Sequence, residues 1–155
     1  MAYNYETGTA LQVIHNNIAF PAGGSTTPAY TYTDIPGTNT TLTVSKAGST
    51  LYLQCYVNGW GNGGTGANIA FKINGTIAGN SNSGNGDTWC RAINGGAGSR
   101  SYNIGRAMLW KHGLQAGSQI VTNICLGTWS SAGVYAGWGS YPTFFNVTLI
   151  ELDSI

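Results

Sequence analysis

Five carboxylates, two histidines and three cysteines are the groups in this sequence able to exchange protons, attack or ligate. The carboxylates are Glu6, Asp34, Asp87, Glu151 and Asp153. Glycoside hydrolysis needs two of them facing each other across a sugar. Glu151 and Asp153 share one face of a strand, but at the C-terminal end they read as a solvated strand end. Asp34, ahead of Ile35-Pro36-Gly37, reads as a turn residue, and Asp87 as part of a Gly/Asn loop. His15 and His112 are far apart, and no Cys, His or carboxylate spacing matches a zinc site. The segment 79–87 offers calcium only one charge, Asp87. Cys90, His112 and an acid are the types of a nucleophilic triad, yet nothing in the sequence brings them together. Gly61-Asn62-Gly63-Gly64 lacks the lysine and following helix of a phosphate loop. The expectation is a protein without catalytic residues, metal or cofactor.

The aromatic residues are more numerous, with five Trp and nine Tyr, many beside glycine. Trp60 lies in Asn58-Gly59-Trp60-Gly61, Trp138 in Ala136-Gly137-Trp138-Gly139, and Tyr141 follows. Trp129 comes after Gly127-Thr128, and Trp89 precedes Cys90. Such side chains bury a large area at low entropy cost and suit stacking on sugar rings. Trp60, Trp89, Trp129, Trp138 and Tyr141 are therefore the candidates for glycan binding. The plainer reading of each is a plug at the end of the fold or packing around a symmetry axis. Trp110, inside an apolar run, reads as core.

The elements that must position these residues are strands. In Leu51-Tyr52-Leu53-Gln54-Cys55-Tyr56-Val57 the odd positions are apolar, and Ile69, Phe71 and Ile73 alternate in the same way. So do Ile120, Thr122, Ile124 and Leu126, and later Phe145, Val147 and Leu149. Side chains on a strand alternate between faces, so each run turns one row inward. No segment sustains a helical period. The pattern predicts strands at 11–20, 39–45, 50–58, 67–74, 101–112, 118–127 and 143–153, with short ones near 30–34, 76–79 and 87–93. Asn74-Gly75 predicts a two-residue hairpin turn. Short strands between Gly-rich turns predict an all-β, jelly-roll-type antiparallel β-sandwich. Residues 1–38 read as a short N-terminal arm and connector, and 39–155 as the sandwich. The arm has three fates open to it: pairing with the sheet, swapping to a neighbour, or docking on a larger surface.

Composition narrows the partners. Charged residues make up only 7% of the chain, against roughly 25% in an ordinary soluble domain. Net charge is +1 and the six cations are scattered, so a nucleic-acid backbone finds no concentrated positive face. No apolar run approaches the ~20 residues of a membrane span, and the N-terminus carries no signal-peptide pattern. With few like charges to repel other copies, the surface points to an assembly. Cys55 and Cys125 sit in alternating runs, as small buried hydrophobes of a reducing compartment would; one disulfide or an intermolecular bridge is the alternative.

Three segments carry a family likeness. Leu114-Gln115-Ala116-Gly117-Ser118-Gln119-Ile120 leads into an alternating strand, and Phe145 to Leu152 ends in Leu149-Ile150-Glu151-Leu152. Val44-Ser45-Lys46-Ala47-Gly48-Ser49-Thr50-Leu51-Tyr52 opens an earlier one. Together they resemble the trimeric jelly-roll (C1q/TNF-like) modules of bacteriophage virion proteins, across about residues 40–153. The resemblance implies a homotrimer and two employments. One is a capsid cement or decoration protein bound to the major capsid protein; the other is a tail-fibre tip recognising cell-surface carbohydrate. The short chain, beginning at Met1 with no shaft repeat, favours decoration, made in the host cytoplasm and carried on the capsid surface of the virion. On this reading Tyr3, Tyr5, Leu11 and Val13 form the capsid-binding arm. Phe145, Val147 and Leu149 line the trimer interface.

Overall fold

The computed structural model describes residues 9–20, 25–27, 32–61, 66–78, 90–93, 100–128, 134–136 and 143–153. These contain strands β1 (Ala10–Phe20), β2 (Ser25–Thr27), β3 (Tyr32–Asp34), β4 (Thr40–Thr43), β5 (Thr50–Gly61) and β6 (Gly66–Ile73). After them come β7 (Thr76–Ile77), β8 (Cys90–Ile93), β9 (Arg100–Lys111), β10 (Gln119–Thr128), β11 (Val134–Ala136) and β12 (Thr143–Leu152). No helix among the described residues is long and apolar enough to cross a membrane.

The strands form two antiparallel sheets packed face to face. In the first sheet β1 pairs with β12, β12 with β5 and β5 with β9; further along β5, past its pairing with β12, β11 pairs with β5 and β2 with β11. In the second, β4 and β3 flank one side of β10, β6 lies on its other side, and β7 and β8 flank β6. The chain crosses between sheets from β2 to β3, β4 to β5, β5 to β6, β8 to β9, β9 to β10 and β10 to β11. This is the jelly-roll-type sandwich that the alternation predicts. The two inward faces meet in one core, with Leu51, Leu53, Val57, Phe145, Val147 and Leu149 from the first sheet. Leu42, Ile69, Phe71, Ile120, Ile124 and Leu126 come from the second.

Most of the expected strands form within a few residues of their predicted ends. The boundary drawn at residue 38 does not match the sheets. β1 runs in register along β12 from Phe20↔Thr143 to Gln12↔Glu151, and Ile14 and Ile18 pack against the core. Of the arm's three fates, the first holds for residues 10–20, because an edge strand with an inward apolar row completes the sheet. The Asn74-Gly75 turn is confirmed, with φ of 47° and 83°. Cys55 and Cys125 are buried and free of disulfides, whereas the side chain of Cys90 lies outside the described set.

Candidate functional site

Strand parity puts Glu151 where its sequence position does not. Residues 145, 147, 149 and 151 share the inward face of β12, so Glu151 is 0% exposed rather than a solvated strand end. A buried carboxylate survives only if donors surround it, and they do. Ser45 donates its N–H at 3.1 Å to both carboxylate oxygens and its hydroxyl at 2.6 Å. Lys46 donates its N–H at 3.2 Å, Ser49 its hydroxyl at 2.5 Å, and the Gln12 amide closes the shell from β1. Burial alone would raise the pKa of Glu151. The hydrogen bonds from Ser45, Ser49 and Gln12 outweigh it and bring the value down to about 2.

Of the three segments of the family likeness, one carries this carboxylate, one supplies most of its donors, and the third packs against the second. The turn at Ala47-Gly48 and the turn at Ala116-Gly117 lie side by side, each with its glycine at positive φ. Gly48 N–H donates to the Leu114 carbonyl at 3.4 Å, and Gly117 N–H to the Val44 carbonyl at 2.8 Å. His112 joins them. Its Nε2 lies 3.2 Å from Ser49 Oγ; since that hydroxyl proton goes to Glu151, the imidazole is the donor. Its Nδ1 is buried and has no partner among the described residues. Acid, serine and histidine thus stand in line, but the hydroxyl lies between the two others and is itself fully buried. This order clamps strand ends together. It does not present a nucleophile to a substrate.

A second polar cluster lies on the far side of the other sheet. Asp34, expected as a turn residue, ends β3, and its carboxylate accepts from Lys72 at 3.1 Å, Asn123 at 3.1 Å and the Cys125 thiol at 3.1 Å. Burial would raise the Asp34 value; the bonds from Cys125, Lys72 and Asn123 hold it below the usual range. Burial, then Asp34, pushes the Cys125 thiol up to about 12. A thiol so protonated is a poor nucleophile. Among the described residues, no group of three or more His, Cys, Asp or Glu could hold a metal.

The outward face of the first sheet is different in kind. Register aligns Val13, Ile150, Tyr52 and Leu109 in one row across β1, β12, β5 and β9. The next row is His15, Thr148, Gln54 and Ala107, and the next Asn17, Asn146, Tyr56 and Gly105. None of these twelve positions is a carboxylate, lysine or arginine. Val13 is 59% exposed, Leu109 56% and Tyr56 41%. In the second and third rows a hollow of about 230 Å³ is lined by His15, Gln54, Cys55, Tyr56, Asn146 and Thr148.

The residues singled out from the sequence distribute unevenly. Val13 lies on this open face, and Leu11 is half-buried at the irregularity between Ala10 and Gln12. Phe145, Val147 and Leu149, expected at the trimer interface, lie on the inward face of β12. They point into the sandwich of their own chain and are buried there; the outward positions of β12 are Asn146, Thr148 and Ile150. Trp60 is carried on strand β5, opposite Ser101 and Tyr135, rather than in a loop. Its side chain lies outside the described set, as do residues Tyr3, Tyr5, Trp89, Trp129, Trp138 and Tyr141 altogether. Alternation in the sequence marks only which parity of each run turns inward; the exposed row is made by register across β1, β12, β5 and β9, which the sequence does not show.

No family model matches the chain, and no curated protein matches it. Among solved structures it is similar to the Eiger TNF of S. frugiperda, with 11% identity and a TM-score of 0.42, over 95% of this chain and 96% of that one.

Proposed function

We propose that this protein is a non-enzymatic structural module that works as a homotrimer, decorating a phage capsid as a cement protein. The observation that carries self-association is the row Val13, Ile150, Tyr52 and Leu109, open on the outer face of the first sheet. Soluble monomers seldom leave a contiguous apolar row uncovered; here the two rows on its His15 side carry no carboxylate, lysine or arginine, while Lys111 stands in the row on its other side. Fully burying a valine or leucine side chain contributes about 2 kcal/mol. The row is therefore the favoured seam, in place of the inward residues of β12.

An architectural role is also favoured by where the polar chemistry goes. Glu151, Ser49 and His112 are committed to holding β1, β12, the 44–49 turn and the end of β9 together. Contact with the major capsid protein falls to the segment before β1, with Tyr3 and Tyr5, and to Leu11 beside it. The resemblance of the three segments to phage virion modules supplies the capsid assignment.

Light scattering tests the assembly: a trimer has three times the 16.2 kDa of one chain, and a monomer at micromolar concentration overturns the proposal. Electron cryomicroscopy of virions tests the location. Threefold density on the shell is expected, and density confined to the tail rejects the decoration role.

A further inference from the structure

We infer that the hollow bounded by His15, Gln54, Tyr56, Asn146 and Thr148 binds one unit of a neutral saccharide. It lies on the same outer face as the seam proposed above, beginning one row away, and requires that the assembly leave the second and third rows open. The lining is uncharged and mixes one exposed aromatic ring with two primary amides, an imidazole and a hydroxyl. Among the described residues, no hydrogen bond occupies the amide of Gln54 or Asn146 or the phenol of Tyr56. His15 Nδ1 and Thr148 Oγ1, 2.8 Å apart, fix each other at the wall of the hollow. A sugar ring presents an apolar C–H face and a rim of hydroxyls that both donate and accept. Tyr56 matches the face, and amides, which also both donate and accept, match the rim.

The size and the charge narrow the ligand further. A volume of about 230 Å³ lies below the range of drug-sized pockets and takes a single ring. Phosphate or carboxylate ligands find no lysine or arginine in the three rows to pair with, and a cation finds no carboxylate. The amides sit on paired strands, Gln54 opposite Thr148 and Asn146 opposite both Tyr56 and Asn17, so the sheet holds their backbone before a ligand arrives. None of the tryptophans singled out from the sequence is needed for this site.

The test is titration of the isotope-labelled full-length protein with glucose, galactose and N-acetylglucosamine, each alone, followed by amide chemical shifts. Saturable shifts centred on Gln54, Tyr56 and Asn146 are expected with at least one sugar. Tyr56→Ala, at an exposed position, should weaken that binding about tenfold, and Val121→Ala, on the other sheet, should leave it unchanged. No saturable shift with any of the three sugars overturns the site, as does binding that survives both Tyr56→Ala and Asn146→Ala. Light scattering on the same samples reports the oligomer separately. Binding seen only in a monomeric Leu109→Asp variant also overturns it, since a second copy would then close the hollow.

Discussion

Glu151 holds its charge where water does not reach, and its donors come from segments distant in sequence: Gln12, Ser45, Lys46 and Ser49. Glu151→Gln keeps the shape but turns an acceptor into a donor facing donors, and should cost about 3 kcal/mol. For a domain of this size that is a fall of about 10 °C in Tm. The pH dependence has a defined sign. The folded value of about 2 lies below the ordinary 4.5, so the stabilisation is complete above about 4.5 and drains away as pH falls toward 2. Melting curves of parent and variant should therefore converge across that window; a constant gap down to about pH 2 would refute the assignment. Cys125 gives a second residue-scale expectation. Held as a thiol by burial and Asp34, it should stay unalkylated by iodoacetamide at about pH 8 in the folded protein and react once denatured, as peptide mass spectrometry would record.

At the scale of elements, two glycines separate backbone need from close approach. Gly75 sits at φ +83° with nothing within 4 Å of where a Cβ would go, so Gly75→Ala tests conformation alone and should cost about 1 kcal/mol. At Gly127 the Cβ would lie 2.7 Å from the Tyr32 ring, and Gly127→Ala should cost about 2 kcal/mol by overpacking. Tyr32→Ala should recover part of the second loss and none of the first, as denaturant titration of the double variants would show. The strands themselves were legible wherever apolar residues alternate over several positions, as in Leu51 to Val57 or Phe145 to Leu149. β2 and β11, three residues each of mixed character, carry no such signal, because pairing with a neighbour creates them. The role of Glu151 was half legible: it shares the parity of Phe145, Val147 and Leu149, but near the C-terminal end it reads as a solvated strand end, and a buried charge there makes sense only once Ser45 and Ser49 are known to face it. Register across four strands was not legible at all, and the row and the hollow exist only through it.

For the whole molecule, the open face of the first sheet should govern assembly. Leu109→Asp places a charge in the apolar row at a position 56% exposed in the single chain. It should convert the trimer to monomer in light scattering while leaving the circular dichroism spectrum unchanged. Loss of the strand spectrum along with the trimer would mean that the residue supports the fold rather than the seam.

The two ends of the described chain meet: Asp153 donates its N–H to the Thr9 carbonyl at 2.8 Å, close to the Glu151 clamp. Connectivity and architecture are thereby separable. A circular permutant, sealed from 153 to 9 by a few glycines and reopened between Asn74 and Gly75, should reach the same melting temperature within a few degrees. Its new termini would emerge at the β6–β7 hairpin, so a fused passenger peptide could be shown from that corner or from the junction of 9 and 153 without rebuilding either sheet.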